Sequence, residues 1–202
     1  MPAAIRSAAL SASPTERARL REIIAARSFR LVSGVESNVY FNMKPTMFDA
    51  EGAALMAKLV VERLARAEVE LAGGLEMGAV PIVAAATALS GLAGTPIQGF
   101  FVRKKAKEHG ARLRIEGLAP GETLSGKRIA IVDDVCTTGG SALSAIEEVR
   151  EAGGEVVLVL AIVDREEGAE RLMREHGLAF DALFRAHEFI PDGFERLPPA
   201  VR

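Results

Sequence analysis

From residue 69 onward the chain alternates short, nearly unbroken apolar runs with longer amphipathic stretches. "VELAGG" (69–74) leads into a glycine-bearing loop and an apolar helix from about Ala79 to Leu89. "PIQGFFV" (96–102) reads as a strand running into a charged segment. "GKRIAIVDDV" (126–135) predicts a strand, and "SALSAIEEVREAGG" (141–154) a helix with Leu143, Ile146 and Val149 on one face. "EVVLVLAIVD" (155–164) predicts another strand, "REEGAERLMREHG" (165–177) a helix and "AFDALFR" (179–185) a last strand. Strands that are Val/Ile/Leu throughout, rather than alternating with polar residues, are buried on both faces. The pattern therefore predicts a mostly parallel central sheet flanked by helices, an α/β fold.

The first third has a different rhythm. Ser13-Pro14-Thr15-Glu16 carries a helix start: a capping serine, proline in the first turn and glutamate three residues on. Leu20, Ile23 and Ile24 extend that helix to about Arg27. "FRLVSGVESNVYFNM" (29–43) predicts two short strands around a Ser33-Gly34 turn, and Asp49 to about Ala67 a long amphipathic helix. The helix and hairpin stand outside the later alternation and predict a small hood over the sheet edge. The expectation is one domain over 1–202: hood and N-terminal helix to about 45, core from about 46 to 185, and a C-terminal tail at 186–202.

Composition narrows the class. Of 202 residues, 49% are hydrophobic and 26% charged, enough for one full core, and the formal net charge of -2 supplies no basic field for nucleic acid. Glycine or charge interrupts every apolar run well short of a membrane span. The Ala/Ser-rich start, "MPAAIRSAALSASPTER", lacks the compact apolar core of a secretory signal. The lone cysteine, Cys136, excludes an internal disulfide, and three scattered histidines argue against a His-based metal cluster. A cytoplasmic protein binding neither membrane nor nucleic acid is expected.

The chemistry concentrates at "VDDVCTTGGSALSAIEEV" (132–149). Asp133 and Asp134 end an apolar strand, and Thr137, Thr138, Gly139, Gly140 and Ser141 open the helix that follows. Backbone N–H groups at such a helix start converge on an anion, glycines admit it closely and hydroxyls add donors. Carboxylates repel phosphate, so the acids suit vicinal hydroxyls or a magnesium ion. Phosphate beside a diol describes a ribose 5-phosphate. Neither GxxxxGK[ST] nor a GxGxxG after a strand is present. The competing reading is a helix cap by Asp134 or Thr137 over a plain turn. Cys136, with no histidine near it in sequence, reads as a small apolar filler.

A second segment, "VRKKAKEHGARLR" (102–114), packs Arg103, Lys104, Lys105, Lys107, Arg112 and Arg114 around one acid, Glu108. It has little to bury and reads as a loop that orders over a polyanion, against the plainer reading of a solvated charge run.

Together these stretches resemble a known family. "IVDDVCTTGGSA" is similar to the phosphoribosyl-pyrophosphate (PRPP) signature of type I phosphoribosyltransferases. "RKKAKEHG" resembles the orotate phosphoribosyltransferase lid, Arg-Lys-x-x-Lys-x-His-Gly. The likeness runs from about residue 30 to 170 and implies the type I phosphoribosyltransferase fold. By this resemblance Asp133 and Asp134 hold the ribose hydroxyls. Thr137, Thr138, Gly139, Gly140 and Ser141 hold the 5-phosphate, with Val135 and Cys136 inside the same loop. Arg103, Lys104, Lys107 and His109 bind pyrophosphate, with Lys107 and His109 the catalytic pair. Arg165 in "IVDREE" pairs with the orotate carboxylate, Thr137 borders the base, and Tyr40 and Phe41 lie against it.

The implied reaction joins PRPP and orotate into orotidine 5′-phosphate and pyrophosphate, in pyrimidine biosynthesis. Magnesium is carried on PRPP, and a homodimer has lid residues reaching the neighbouring site. The chain departs from the family at two points: Glu36 in "SGVES" stands where a cation is common, and Glu76 and Met77 in "GGLEMGA" stand where the family often has Tyr-Lys. The alternatives are a phosphoribosyltransferase for another base and a non-catalytic PRPP-binding regulator.

Overall fold

The structure, a computed structural model, describes residues 11–31, 39–104 and 114–190. Helix α1 (Pro14–Arg27) opens on a reciprocal cap: the Ser13 hydroxyl accepts from the Glu16 N–H, and the Glu16 carboxylate accepts from the Ser13 N–H at 2.8 Å. This satisfies two amides that a helix start leaves unpaired. Strands β1 (Phe29–Leu31) and β2 (Val39–Phe41) pair antiparallel, Phe29 opposite Phe41. The Ser33-Gly34 turn and Glu36 lie outside the described residues. A short helix α2 (Lys44–Met47) leads into α3 (Ala50–Arg66), which Asp49 caps by accepting the Gly52 N–H at 2.9 Å.

The alternation that follows is β3 (Leu71–Gly73), α4 (Ala79–Leu92), β4 (Gln98–Gly99), β5 (Phe101–Val102), β6 (Ile115–Glu116), β7 (Arg128–Cys136), α5 (Gly140–Glu151), β8 (Glu155–Asp164), α6 (Ala169–Glu175) and β9 (Phe180–Arg185). Five strands form one parallel sheet in the order β4-β3-β7-β8-β9. Pleating sends alternate residues of β7 and β8 to opposite faces. Ala130, Val132, Leu160 and Ile162 join the layer containing α3 and α4, while Ile129, Ile131 and Val159 join Ile146 and Val149 of α5. Each fully buried Ile or Leu contributes about 1.5–3 kcal/mol. Both faces demand it, and this explains runs with no polar alternation.

Two elements differ from the sequence reading. "PIQGFFV" is not one strand: Gln98–Gly99 edges the main sheet, but Phe101–Val102 leaves it to pair antiparallel with Ile115–Glu116. The break falls at buried Phe100, whose ring presses on Gly73 so closely that a Cβ there would lie 2.4 Å from it. The helix expected from 165 begins only at Ala169. Asp164 accepts the Glu166 N–H at 2.8 Å in a turn, and Gly168 has φ +113°, both outside helical geometry.

An aromatic cluster joins the N-terminal hairpin to the end of the sheet. Phe41 lies 5.1 Å from Phe29 and 5.3 Å from Phe189, and Phe184 of β9 lies 5.8 Å from Phe189. Phe189 closes a 3₁₀ turn (Ala186–Phe189). The Arg17 guanidinium stacks 4.5 Å over Phe184 and pairs with Glu188 at 2.8 Å. Phe189→Ala is expected to destabilise the protein by about 3–5 kcal/mol, because its neighbours cannot all collapse into the space. Urea denaturation followed by circular dichroism checks this. A loss under about 1 kcal/mol would mean the cluster does not tie the hairpin down.

Candidate active site

The sheet divides between its neighbouring strands β3 and β7. From β3 the chain returns through α4 to β4 on one side, and from β7 through α5 to β8 on the other. In open parallel sheets such a divide leaves a crevice beyond the carboxyl ends of the strands. A polar cavity of about 200 Å³ lies there. The loop after β3 supplies Leu75, Glu76, Met77 and Gly78, and the end of β7 with the start of α5 supplies Asp133, Asp134 and Ser141. Lys104 enters from the end of β5, and Lys44 from the start of α2.

The two loops are fitted to each other. The Glu76 N–H donates to the Val102 carbonyl at 2.8 Å, and the Lys104 N–H donates to the Glu76 carboxylate at 2.9 Å. Gly78 abuts Asp134: a Cβ there would sit 2.3 Å from Oδ1, so glycine is what lets the loop close on the acid. Gly139 adopts φ +91°, the left-handed region, and a Cβ would meet Met173 Cε at 2.9 Å. From there α5 starts at Gly140, with the Thr138, Gly140 and Ser141 surface exposed.

Asp133 is 9% exposed, and its Oδ1 accepts the Asp134 N–H at 3.1 Å. Burial, reinforced by the neighbouring Asp134 charge, pushes its carboxyl up to about 7, with Lys104 pulling weakly the other way. Cys136 is fully buried, and burial with Asp133 and Asp164 nearby pushes its thiol up to about 12. A thiol held protonated is a poor nucleophile, in keeping with a filler role.

Of the residues expected from the sequence, the cavity gathers Asp133, Asp134, Ser141 and Lys104. Arg165, Thr137, Tyr40 and Phe41 do not line it. Arg165 is tied to the loop by its N–H, which donates to the Cys136 carbonyl at 2.8 Å, and its guanidinium pairs with Glu167 at 2.6 Å. Tyr40 is half exposed, whereas Phe41 is buried in the aromatic cluster.

The cationic segment is pinned at both ends. The Arg103 N–H donates to the Arg114 carbonyl at 2.8 Å, Arg103 pairs with Glu116 at 3.2 Å, and Arg114 pairs with Glu148 on α5. Lys105, Lys107, His109 and Arg112 lie outside the described residues. The sequence reading missed Lys44. It is an isolated cation before a proline, and only the tertiary path of α2 brings it to the cavity. No helix among the described residues is long and apolar enough to cross a membrane.

Residues 46–175 match the phosphoribosyl transferase domain family. The chain is 59% identical over 179 residues to the orotate phosphoribosyltransferase of Rhodopseudomonas palustris (strain BisB5), covering 86% of this chain and 96% of that protein. The structure of Mycobacterium tuberculosis H37Rv orotate phosphoribosyltransferase with Fe(III) dicitrate matches at TM-score 0.75 and 34% identity, over 86% of this chain and 98% of that one. The same enzyme's complex with PRPP matches at TM-score 0.73 and 31% identity, over 88% and 93%.

Asp133 has a measurable consequence for stability. Its folded value, about 7, lies above the ordinary carboxylate value, so folding penalises the charged form. The penalty is fully present above about pH 7 and fades as pH falls toward the ordinary carboxylate range. Asp133→Asn is therefore expected to be about 2–4 kcal/mol more stable than the parent at pH 8 and equal to it near pH 4. Urea unfolding at a series of pH values checks this, and a gap that does not change with pH would contradict the burial argument.

Proposed function

The chain belongs to the phosphoribosyl transferase family and, within it, to the orotate phosphoribosyltransferases, and from that premise we propose the reaction its site performs. It transfers the 5-phosphoribosyl group from PRPP to orotate, giving orotidine 5′-phosphate and pyrophosphate, a step of pyrimidine biosynthesis. The observation that carries the reading is the polar cavity at the sheet's divide, where paired acids adjoin a glycine-rich helix start.

In this reading Asp133 and Asp134 accept hydrogen bonds from the ribose hydroxyls. The 5-phosphate lies on Thr137 to Ser141, taking backbone N–H groups of Thr138, Gly139, Gly140 and Ser141 and the hydroxyl donors, with the helix dipole behind them. Val135 and Cys136 end β7 and lead the chain into that loop. Arg103, Lys104, Lys107 and His109 serve the pyrophosphate. Arg165 takes the orotate carboxylate, which would compete with Glu167 for the guanidinium fork. Thr137 borders the base, and half-exposed Tyr40 offers a face to it, with Phe41 supporting from the hairpin core.

The C1′–O bond to pyrophosphate breaks with its electron pair leaving on oxygen, and the C1′–N1 bond to orotate forms as the N1–H bond breaks, its proton passing to water or to the departing pyrophosphate. Positive charge develops on the ribose ring and negative charge on the departing group. The protein's share is to hold both reactants in line and to stabilise the leaving charge with Lys107 and His109. Exclusion of water would protect the cation-like centre from hydrolysis.

Magnesium belongs to the proposal. Among the described residues no group of three or more His, Cys, Asp and Glu side chains is arranged to hold a metal. The two aspartates nonetheless bring hard oxygen donors to the cavity, which suits an ion carried mainly by PRPP's own oxygens. When bound, it would neutralise charge on the pyrophosphate. A homodimer whose Lys107 and His109 serve the partner's site, in a cytoplasmic setting, completes the reading.

Pyrophosphate release from PRPP, assayed with orotate, adenine, hypoxanthine and uracil, tests the reaction. Orotate alone is expected to support turnover. A neutral base as the preferred acceptor would favour another phosphoribosyltransferase, and release with none would favour a PRPP-binding regulator. Arg165→Ala should raise the KM for orotate far more than that for PRPP, since truncating one side of a desolvated pair costs roughly 2–5 kcal/mol. Equal losses would make Arg165 structural.

Subunit mixing tests the shared site. Lys107→Ala protein mixed with the Asp133→Asn/Asp134→Asn variant should recover up to roughly one quarter of parental activity, because about half of the exchanged dimers hold one fully intact site. Continued inactivity after verified exchange would place the lid over its own site.

A further inference from the structure

We propose that Lys44 is a PRPP-binding residue, its ammonium receiving the pyrophosphate group from the N-terminal side of the polar cavity. The inference rests on the reading of that cavity as the PRPP site. Three carboxylates line the cavity, those of Glu76, Asp133 and Asp134, against two ammonium groups, Lys44 and Lys104. The loop after β3 contributes Glu76 and Met77 and no cation. Among the described lining side chains, Lys104 alone would leave a ligand carrying several phosphate charges facing a net negative wall.

The pairing of the other lysines sharpens this. Among the described residues there are four: Lys58 pairs with Glu16 at 2.7 Å, and Lys127 with Glu70 at 2.8 Å. Lys44 and Lys104, the two that line the cavity, have no ion-pair partner among the described residues. Two ammonium groups left unpaired beside three carboxylates suit an incoming anion better than an internal bridge. The backbone presenting Lys44 is also held firmly. Met43, Thr46 and Met47 are buried, the Thr46 and Ser28 hydroxyls bond at 2.7 Å, and the Lys44 N–H donates to Asn42 Oδ1 at 3.3 Å. The side chain is thus presented from a fixed anchor, so less freedom is lost when it takes a partner.

The choice of pyrophosphate follows by chemistry. The ribose hydroxyls suit carboxylate acceptors, and the 5-phosphate has the backbone donors at the start of α5. Pyrophosphate is the remaining anionic part of the ligand, and the β3 side of the cavity gives it no positive side chain. The rival assignment is the carboxylate of orotate, since Lys44 follows Tyr40 by four positions.

Lys44→Met, which keeps most of the stem, and Lys44→Arg, which keeps the charge, separate these. PRPP binding is measured by calorimetry without orotate, and KM for each substrate in the forward reaction. Lys44→Met should weaken PRPP binding and raise its KM roughly tenfold or more. The orotate KM should stay within about twofold and the gap from parent should shrink at high salt, as a screened charge contact requires. Lys44→Arg should retain most of the affinity, and thermal unfolding of both variants should match the parent. If the parent itself does not bind PRPP, the cavity reading fails. If the parent binds PRPP and Lys44→Met binds it equally well, the Lys44 proposal alone is wrong. A rise confined to the orotate KM would assign Lys44 to the base and overturn it as well.

Discussion

The burial of β7 on both faces is the constraint from which the rest of the molecule is arranged. A strand packed against helices above and below must be apolar at consecutive positions, and residues 129–132 are. Its neighbours must be parallel, because the helices that cover it are the crossovers. With β3 on one side and β8 on the other, the chain has to reverse its direction of travel across the sheet at β7. That reversal opens the crevice. Asp133 stands where the apolar wall meets it, still buried enough for its carboxyl to be raised to about 7, and Asp134 follows within reach of Gly78. Asp133 is costly there for the folded chain alone and becomes reasonable when a polyhydroxyl ligand or a cation faces it.

What could be read from the sequence follows the reach of each interaction. Unbroken apolar runs reported the parallel sheet, since double-sided burial is written into consecutive residues. The caps at Ser13 and Asp49 are local and sit where the sequence implies or allows them. Gly139 and Gly140 beside the paired acids marked the site, and Gly139 has the positive φ and the close neighbour that need glycine. The break at Phe100 was not legible: it depends on a ring settling against Gly73, some 27 positions away. Two-residue β6 carries too little pattern to be seen. Lys44 was missed because a lone lysine before a proline has no local signature, and α2 places it only through the packing of Met43, Thr46 and Met47. The Tyr40-Phe41 pair showed the reverse problem. Adjacent aromatics on a strand point to opposite sides, so one is buried with Phe29 and Phe189 while the other faces outward.

The N-terminal hairpin and the end of the sheet are held by interactions of different kinds. Ring packing among four phenylalanines is insensitive to salt, whereas the Arg17–Glu188 contact, with partly exposed partners, adds direction more than energy. The same division appears beside the site. Arg114 binds Glu148 on the helix that follows the phosphate loop, and Arg103 binds Glu116 across the β5–β6 hairpin. The base of the cationic segment is therefore anchored to the scaffold that carries the acids.

Cys136 has a practical meaning for anyone working with the protein. It is the chain's single cysteine, fully buried, with its thiol pushed up to about 12. Maleimide and iodoacetamide react with thiolate, of which almost none exists there at neutral pH. The folded protein is thus a nearly blank background for fluorophore and spin-label attachment. A cysteine placed at an exposed position such as Leu92, 88% accessible at the end of α4, would be the one residue labelled. Pairs of cysteines introduced in this way would report distances within the fold without first removing the native sulfur.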